Sequence, residues 1–383
     1  MNQSGNQGDK MHTRRFRNIV LAVALATIAS AAAAQSSVTL YGTVDAGVLY
    51  QNRSATGRGQ QTQLATGGVN PSVWGLKGTE DLGGGMAATF ALESYFASNN
   101  GSLMTSPGYQ TQIFRRQANV GLTTPYGSLT LGKMYTPAIL AAIVTEPREF
   151  AENLSNLYTW AYNELAAPGN ALGAGTSPSN DVGVFMGNAL QYSNTLGPVW
   201  LGAAYSFGGV PGSMRKGNEI SLGVTYTGPF IASAAYQQVA DSLSGQNVSR
   251  LWSVGLAKSF GPVTGKLNYF DVIDRGIDGG DISHVTSISP GVTYQWSASN
   301  NAGLAGYYNR YRGSHNSTTR SLVLSNDFSL SKRTMLYAQV AYVDAGAVGT
   351  IDPLESLKTS IVAGGTEPGA KTVLVNLGIV HHF

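Results

Sequence analysis

The chain has 383 residues with 48 glycines, 19 tyrosines and no cysteine, and only 12% of its residues are charged, against about 25% in an average soluble domain. The absence of cysteine excludes a disulfide scaffold, thiol chemistry and thiolate metal sites. The formal net charge of +3 does not argue for a nucleic-acid partner. Lys10, Arg14, Arg15 and Arg17 sit in the first 34 residues with the single acid Asp9, and the remainder carries 20 residues of each sign.

Those four cations precede a short apolar run at 19–29 (IVLAVALATIA) and an alanine tract at 31–34. This order predicts a signal peptide over residues 1–34, cut after Ala34, with Met11 as a second candidate start. The run is shorter than the roughly 20 residues that span a bilayer. Residues 35–383 then form one domain. Over 38–50 (VTLYGTVDAGVLY), Val38, Leu40, Val44, Ala46, Val48 and Tyr50 alternate with Thr39, Tyr41, Thr43 and Asp45. Such a period of two is a strand with one apolar face. Residues 86–96 repeat it, with Ala88, Phe90, Leu92 and Phe96 against Thr89, Glu93 and Tyr95.

Short turn signals recur at 79–85, 123–127, 194–198, 227–229, 260–262, 297–301 and 329–332. Longer polar or glycine-rich stretches alternate with them, near 51–71, 97–111, 135–182, 208–217, 240–249, 273–283, 313–318 and 346–370. Seven turns and eight loops connect sixteen strands. The last, 371–383 (KTVLVNLGIVHHF), ends on an aromatic residue, and pairing it with the first strand leaves no free edge. A bilayer requires that closure. The expected fold is all-β: a 16-stranded antiparallel transmembrane β-barrel, wide enough for an aqueous channel.

One loop is out of scale. From Tyr135 about 48 residues pass before alternation returns near Gly183, and the first part, 135–160, is largely apolar. A segment of this kind is expected to pack inside the lumen and narrow it, with Glu146, Arg148, Glu149 and Glu152 lining the gap. Strand parity turns Lys77 inward, because Trp74 and Leu76 face lipid. Arg115 and Arg116 are adjacent, so one of the two faces the lumen if both lie on regular strand, and the pattern leaves open which. Lys133 stands where the long loop departs.

Residues 72–85 (SVWGLKGTEDLGGG), 116–122 (RQANVGL), 126–135 (YGSLTLGKMY) and 147–150 (PREF), with the opening strand and Phe383, resemble the general porins of Gram-negative outer membranes, β-proteobacterial branch. The resemblance covers essentially the whole chain after residue 34. It implies homotrimers of sixteen-stranded barrels, with the third long loop folded into each lumen. It also implies wall cations facing loop carboxylates around a Pro-Glu-Phe-Gly-like motif. Arg116 and Lys77 then fall on wall basic positions, Lys133 on the basic residue opening the loop, and Glu149-Phe150 on the loop's Glu-Phe. Arg148 beside the glutamate, Ala151 in place of glycine and the uncharged Val73 depart from that pattern.

The expected function is passive diffusion of ions and small hydrophilic solutes across the outer membrane, with lipid and lipopolysaccharide around the barrel, no nucleic acid, no catalysis, no cofactor and no metal. A solute-specific channel and a non-conducting surface-binding barrel or adhesin are the alternatives, and an enzyme comes third because no nucleophile stands out. His284, His315, His381 and His382 are expected to be solvated, the last two at the short-turn rim. Asp271, Asp274, Asp278 and Asp281 lack calcium-loop spacing. Tyr307, Tyr308, Tyr311, Tyr337 and Tyr342 read as membrane-interface girdles. Gly42 and Gly47 are either close-packing positions near a trimer axis or ordinary barrel glycines.

Overall fold

The structure, a computed structural model, describes residues 37–55, 59–104, 112–163, 177, 179–276, 279–313, 316–347 and 357–383. The signal segment at 1–34, Asp278 and His315 lie outside the described residues. The strands are β1 Ser37–Gln51, β2 in two pieces Gln61–Thr66 and Val73–Gly83, β3 Met86–Tyr95, β4 Gln117–Thr124 and β5 Gly127–Tyr135. After the third long loop come β6 Phe185–Leu196, β7 Val199–Ser206, β8 Glu219–Thr227, β9 Ile231–Ala240, β10 Asn247–Phe260 and β11 Val263–Arg275. The ring ends with β12 Asp281–Ser297, β13 Asn300–Arg312, β14 Ser317–Ser329, β15 Thr334–Asp344 and β16 Lys371–His382.

Every neighbouring pair is antiparallel, and β16 pairs with β1 from Thr43–His382 to Gln51–Leu374. The sixteen-stranded barrel expected from the alternation of turns and loops is therefore closed. Beyond β16, Phe383 and Gly42 exchange backbone hydrogen bonds of 3.0 and 3.1 Å. The Phe383 ring occupies the space that a Cβ on Gly42 would need. Gly47 likewise clears space inside the barrel for the Tyr337 hydroxyl, which donates to Asp45 at 2.8 Å. Both glycines thus have a local steric reason within one chain.

The chain is inside-out relative to a soluble domain. Val38 (64% exposed), Leu40 (60%) and Leu377 (54%) point outward, whereas Gln237, Asn309, Gln339 and Asn376 are fully buried inside. An apolar outer band over a polar interior is what a barrel in lipid requires. Leu374 breaks the alternation of the last strand because it faces inward, into a buried cluster with Leu154 and Ile361.

Candidate functional site

The third long loop, described over residues 136–163, 177 and 179–184, packs inside the lumen. Thr136 caps its first helix, α1 (Pro137–Ile143), accepting from the Ile139 N–H, and Pro137 takes the first turn, where its missing N–H costs nothing. Ala138, Ile139, Ala141 and Ala142 are buried against Phe150, Trp160, Phe270 and Leu251. The wall makes room for this loop with glycine. A Cβ on Gly223 would meet Pro137, one on Gly255 would meet Thr145, and one on Gly291 would meet Pro147. Thr145 bonds Ser233 at 2.8 Å and accepts from Asn268 at 3.0 Å.

The loop then crosses to the opposite wall. The backbone N–H groups of Glu152 and Asn153 donate to Val69 (3.0 Å) and Gly68 (3.3 Å), in the gap that divides β2. Asp45 holds that gap open by accepting from the N–H groups of Val69 and Asn70 at 2.9 and 2.8 Å. A second helix, α2 (Leu157–Asn163), returns to the wall. Trp160 meets Phe270 edge-on with 5.6 Å between ring centroids, and Asn309 donates to Asn156 and Thr159.

The four loop residues singled out by sequence take different roles. Glu146 does not line water: it is fully buried, and its carboxylate accepts from the N–H groups of Arg148 (2.7 Å) and Phe150 (2.8 Å). These bonds hold a turn in which Glu149 (φ 56°), Phe150 (φ 50°) and Leu154 (φ 60°) adopt left-handed backbone, sparsely populated for such residues. Burial raises the Glu146 pKa against the lowering effect of those two N–H groups. Glu152 is also buried, and accepts from the Tyr95 hydroxyl. Burial raises its pKa too, with Tyr95 and the two arginines opposing.

Glu149 alone among the three acids presents a largely exposed side chain, and it accepts from Lys266 Nζ at 2.7 Å. Arg148 borders a cavity of about 150 Å³ with Glu149, Ala151, Thr293, Ser325 and Asp327. Its Nε and Nη1 are buried without a hydrogen-bond partner.

Of the four wall cations, Arg115, Arg116 and Lys133 gather around two carboxylates. Arg115 and Arg116 precede β4, so strand parity does not apply, and both guanidinium groups are drawn inside. Arg116 donates to Glu93 Oε1 (2.6 Å) and to the Tyr135 hydroxyl, while Tyr41 donates to Glu93 Oε2 at 2.9 Å. Arg115 grips Asp181 with Nε and Nη2 at 3.3 and 3.1 Å, and Lys133 Nζ reaches the same carboxylate at 2.9 Å. Burial alone would raise the Asp181 pKa, but the two cations outweigh it and the net shift is downward. Lys77 stands apart, with its Nζ 4.9 Å over the Tyr41 ring. It faces a cavity of about 570 Å³ with Glu93, Gln117 and Asn119.

Glu93, Asp181, Lys266 and Asp327 were not picked out from the sequence as site residues. Parity was the available signal for Glu93, Lys266 and Asp327, since each shares a face with inward polar residues. Asp181 lies at the end of an aperiodic loop and gave no such signal.

The remaining candidates disperse. His284 meets Asp271 at 2.6 Å on the outer face, Asp274 meets Lys358 inside, and Asp281 meets Arg275. Among the described residues no group of three side chains could hold a metal ion. His381 and His382 lie at the short-turn rim, bonded to Thr334 (3.0 Å) and Thr43 (2.8 Å).

Comparison with known proteins agrees with this architecture. The family described as Gram-negative porin matches residues 21–347. The outer membrane porin protein 32 of Delftia acidovorans is 30% identical, over 96% of this chain and 100% of its own length. Among solved structures, the anion-selective porin from Comamonas acidovorans superposes with a TM-score of 0.74 at 25% identity, covering 91% of this chain and 100% of that one. The trimer form of OmpT from Vibrio cholerae shares the fold, with a TM-score of 0.65 at 12% identity over 91% of this chain and 99% of that one.

Proposed function

The chain belongs to the Gram-negative porin family and is a diffusion channel of the outer membrane, and from that premise we propose that its lumen favours anions. The observation that carries this reading is the balance among the charges that border the passage, Glu146 and Glu152 being buried in the loop and Asp327 standing across the cavity from Arg148. Glu93 offsets Arg116 and Glu149 offsets Lys266. Asp181 is shared by two cations, which leaves one positive charge over. Neither Lys77 nor Arg148 has a carboxylate within ion-pair distance among the described residues. A narrow water-filled passage with low-dielectric walls magnifies such an excess, and charged rings with pore width set selectivity.

In this reading solutes cross by diffusion along their own gradients, without a covalent step or cofactor. Residues 1–34 direct export and are removed, three copies assemble, and membrane lipid covers the outward apolar band. Lys77, Arg115, Arg116 and Lys133 form the basic side of the constriction, and Arg148 and Glu149 border its loop side. Glu146 and Glu152 keep the loop in place from within.

A planar bilayer with a salt gradient tests the reading. The expected reversal potential has the sign of anion preference, and Lys77→Glu combined with Arg148→Glu moves it toward cations. Cation preference in the unaltered protein would reject the charge argument, and absence of current steps would reject conduction. A channel with a preferred solute is the second reading, supported by a cavity of about 250 Å³ in which Leu157, Tyr158, Val184 and Phe185 stand beside Arg115 and Arg116. Conductance that saturates with one organic solute and not with chloride would favour it.

A further inference from the structure

The tip of the long loop roofs a polar cavity on the short-turn side of the lumen. Across β12, β13 and β14 the register places Thr293, Gly303 and Ser325 in one row. Asn301 pairs with Asp327 in the next row toward the short turns. By strand parity with buried Ser289, Ala305 and Val323, all five positions face inward. On the other side of the Thr293 row Pro147 rests against Gly291, which sets the turn at 147–149 above this floor. Between roof and floor lies the cavity of about 150 Å³. Gly303 gives it room, because a Cβ there would stand 2.9 Å from Ser325 Oγ.

Two opposite charges border this cavity without meeting. Arg148 Nε and Nη1 and Asp327 Oδ1 are all buried without a hydrogen-bond partner among the described residues. The two side chains form no ion pair, so their charged atoms stand more than 4.0 Å apart. The surrounding carboxylates are already engaged. Glu149 accepts from Lys266 at 2.7 Å. Asp45 accepts from the Tyr337 hydroxyl and from the N–H groups of Val69 and Asn70. Glu146 accepts from the N–H groups of Arg148 and Phe150, which fixes the backbone that carries the guanidinium. One guanidinium on the loop and one carboxylate on the wall therefore remain. Arg148 is also a position at which the loop departs from the Pro-Glu-Phe-Gly-like motif.

We propose that this cavity is a binding site for a small zwitterion, an α-amino acid of the size of alanine. Buried charge without a partner is costly, and a solute carrying both complements removes that cost at Arg148 and Asp327 together. Its carboxylate accepts from the Arg148 fork and its ammonium donates to Asp327. Thr293, Ser325 and Asn301 stand beside them with hydroxyl and amide groups. A plain anion would face Asp327 as a like charge, and a plain cation would face Arg148. A space of about 150 Å³ holds roughly six heavy atoms, as in benzene, which suits alanine and excludes large side chains. The site rests on the lumen being open to solutes and is independent of which ions it prefers.

The test uses the full-length protein in mild detergent, titrated with L-alanine and followed by saturation-transfer NMR. Lactate replaces the ammonium of alanine with a hydroxyl, and isopropylamine replaces the carboxylate with a methyl group. Each is expected to bind about tenfold or more weakly than alanine, since each leaves one buried charge unpaired. Asp327→Asn is expected to weaken alanine binding by a similar factor and to bring alanine and lactate closer together. Gly303→Val leaves every charge in place and is expected to abolish binding by filling the cavity. Lys258→Gln, outside the barrel at the short-turn end of β10, is expected to bind as the unaltered protein does. No binding of alanine, or equal affinity for alanine and lactate, overturns the proposal. So does unchanged alanine binding by Asp327→Asn or by Gly303→Val. If either variant fails to fold, the three ligands compared on the unaltered protein decide in its place. Chloride current steps from the same preparation test conduction separately.

Discussion

The two walls of the lumen solve opposite problems. The wall from β2 to β5 is charged and aromatic: Arg115, Arg116 and Lys133 are held by Glu93 and Asp181, Arg116 lies among Tyr95, Tyr135 and Phe185, and Arg115 lies over Tyr95. The wall from β8 to β12 carries one cation toward the long loop, Lys266, and otherwise meets it with apolar side chains and with Gly223, Ser233, Gly255 and Gly291 where the loop backbone comes closest. Paired charge concentrates on the first wall, and glycine stands where the loop backbone lies against the second. These pairs are buried, and the cost of desolvating both partners offsets much of their attraction, so they add little net stability. The charged wall therefore shapes the electric field, while the glycine wall fixes the width of the passage.

The largest effect is expected from filling the glycine wall. Gly223→Leu together with Gly255→Leu places side chains where Pro137 and Thr145 now sit. Overpacking of that kind costs about 1–3 kcal/mol per site in well-packed interiors, and undocking the loop is the available relief. Single-channel conductance should rise roughly twofold or more, since pore width governs passage, and residues 136–163 should become cleavable by protease. Unchanged conductance would mean that the loop does not set the width.

A smaller effect separates two glutamates three residues apart. Glu146→Ala leaves the buried N–H groups of Arg148 and Phe150 without an acceptor, at about 1–3 kcal/mol each. The expected result is a lower thermal midpoint for loop docking and a noisier open channel. Glu149→Gln removes an ion pair whose acid is largely exposed, so the change in stability should stay within about 0.5 kcal/mol. It frees the Lys266 charge, however, and the reversal potential should move further toward anions. If the two substitutions behave alike, the division between a supporting and a field-setting carboxylate is wrong.

The barrel was legible because period-two alternation and turn spacing are dictated by backbone geometry and lipid. Val38 to Tyr50 declare their outer face without help from any partner. The loop's lumenal position was also legible, from its apolar run. What alternation could not supply was the fate of residues off the strands. Arg115 and Arg116 precede β4, so a parity argument that holds only on regular strand does not reach them. Glu146 and Glu149 look equivalent in sequence, and only the left-handed turn at Glu149 and Phe150 separates them. The glycines under the loop have no local signature either, because their reason is a backbone more than 80 residues away in the chain.

The subtlest comparison is between the acids of the two walls under titration. Glu146 and Glu152 have pKa values raised by burial, so the docked loop holds its protons at a higher pH than the unfolded chain does. Their contribution to docking is complete below the ordinary glutamate value and is lost as pH rises through the raised values. Asp181 has the opposite sign: despite burial, Arg115 and Lys133 lower its pKa. Its contribution is present above the ordinary aspartate value and is lost only as pH falls through the lowered one. From neutrality down to about pH 5, docking should therefore tighten while the Arg115–Asp181–Lys133 group stays ionised. Protease protection of residues 136–163 should increase across that interval, with anion preference unchanged, and loss of both should wait for stronger acid. Glu146→Gln cannot titrate at that position, so its protection profile should be flatter. A profile as steep as that of the unaltered protein would assign the pH response to Glu152, or to groups outside the loop.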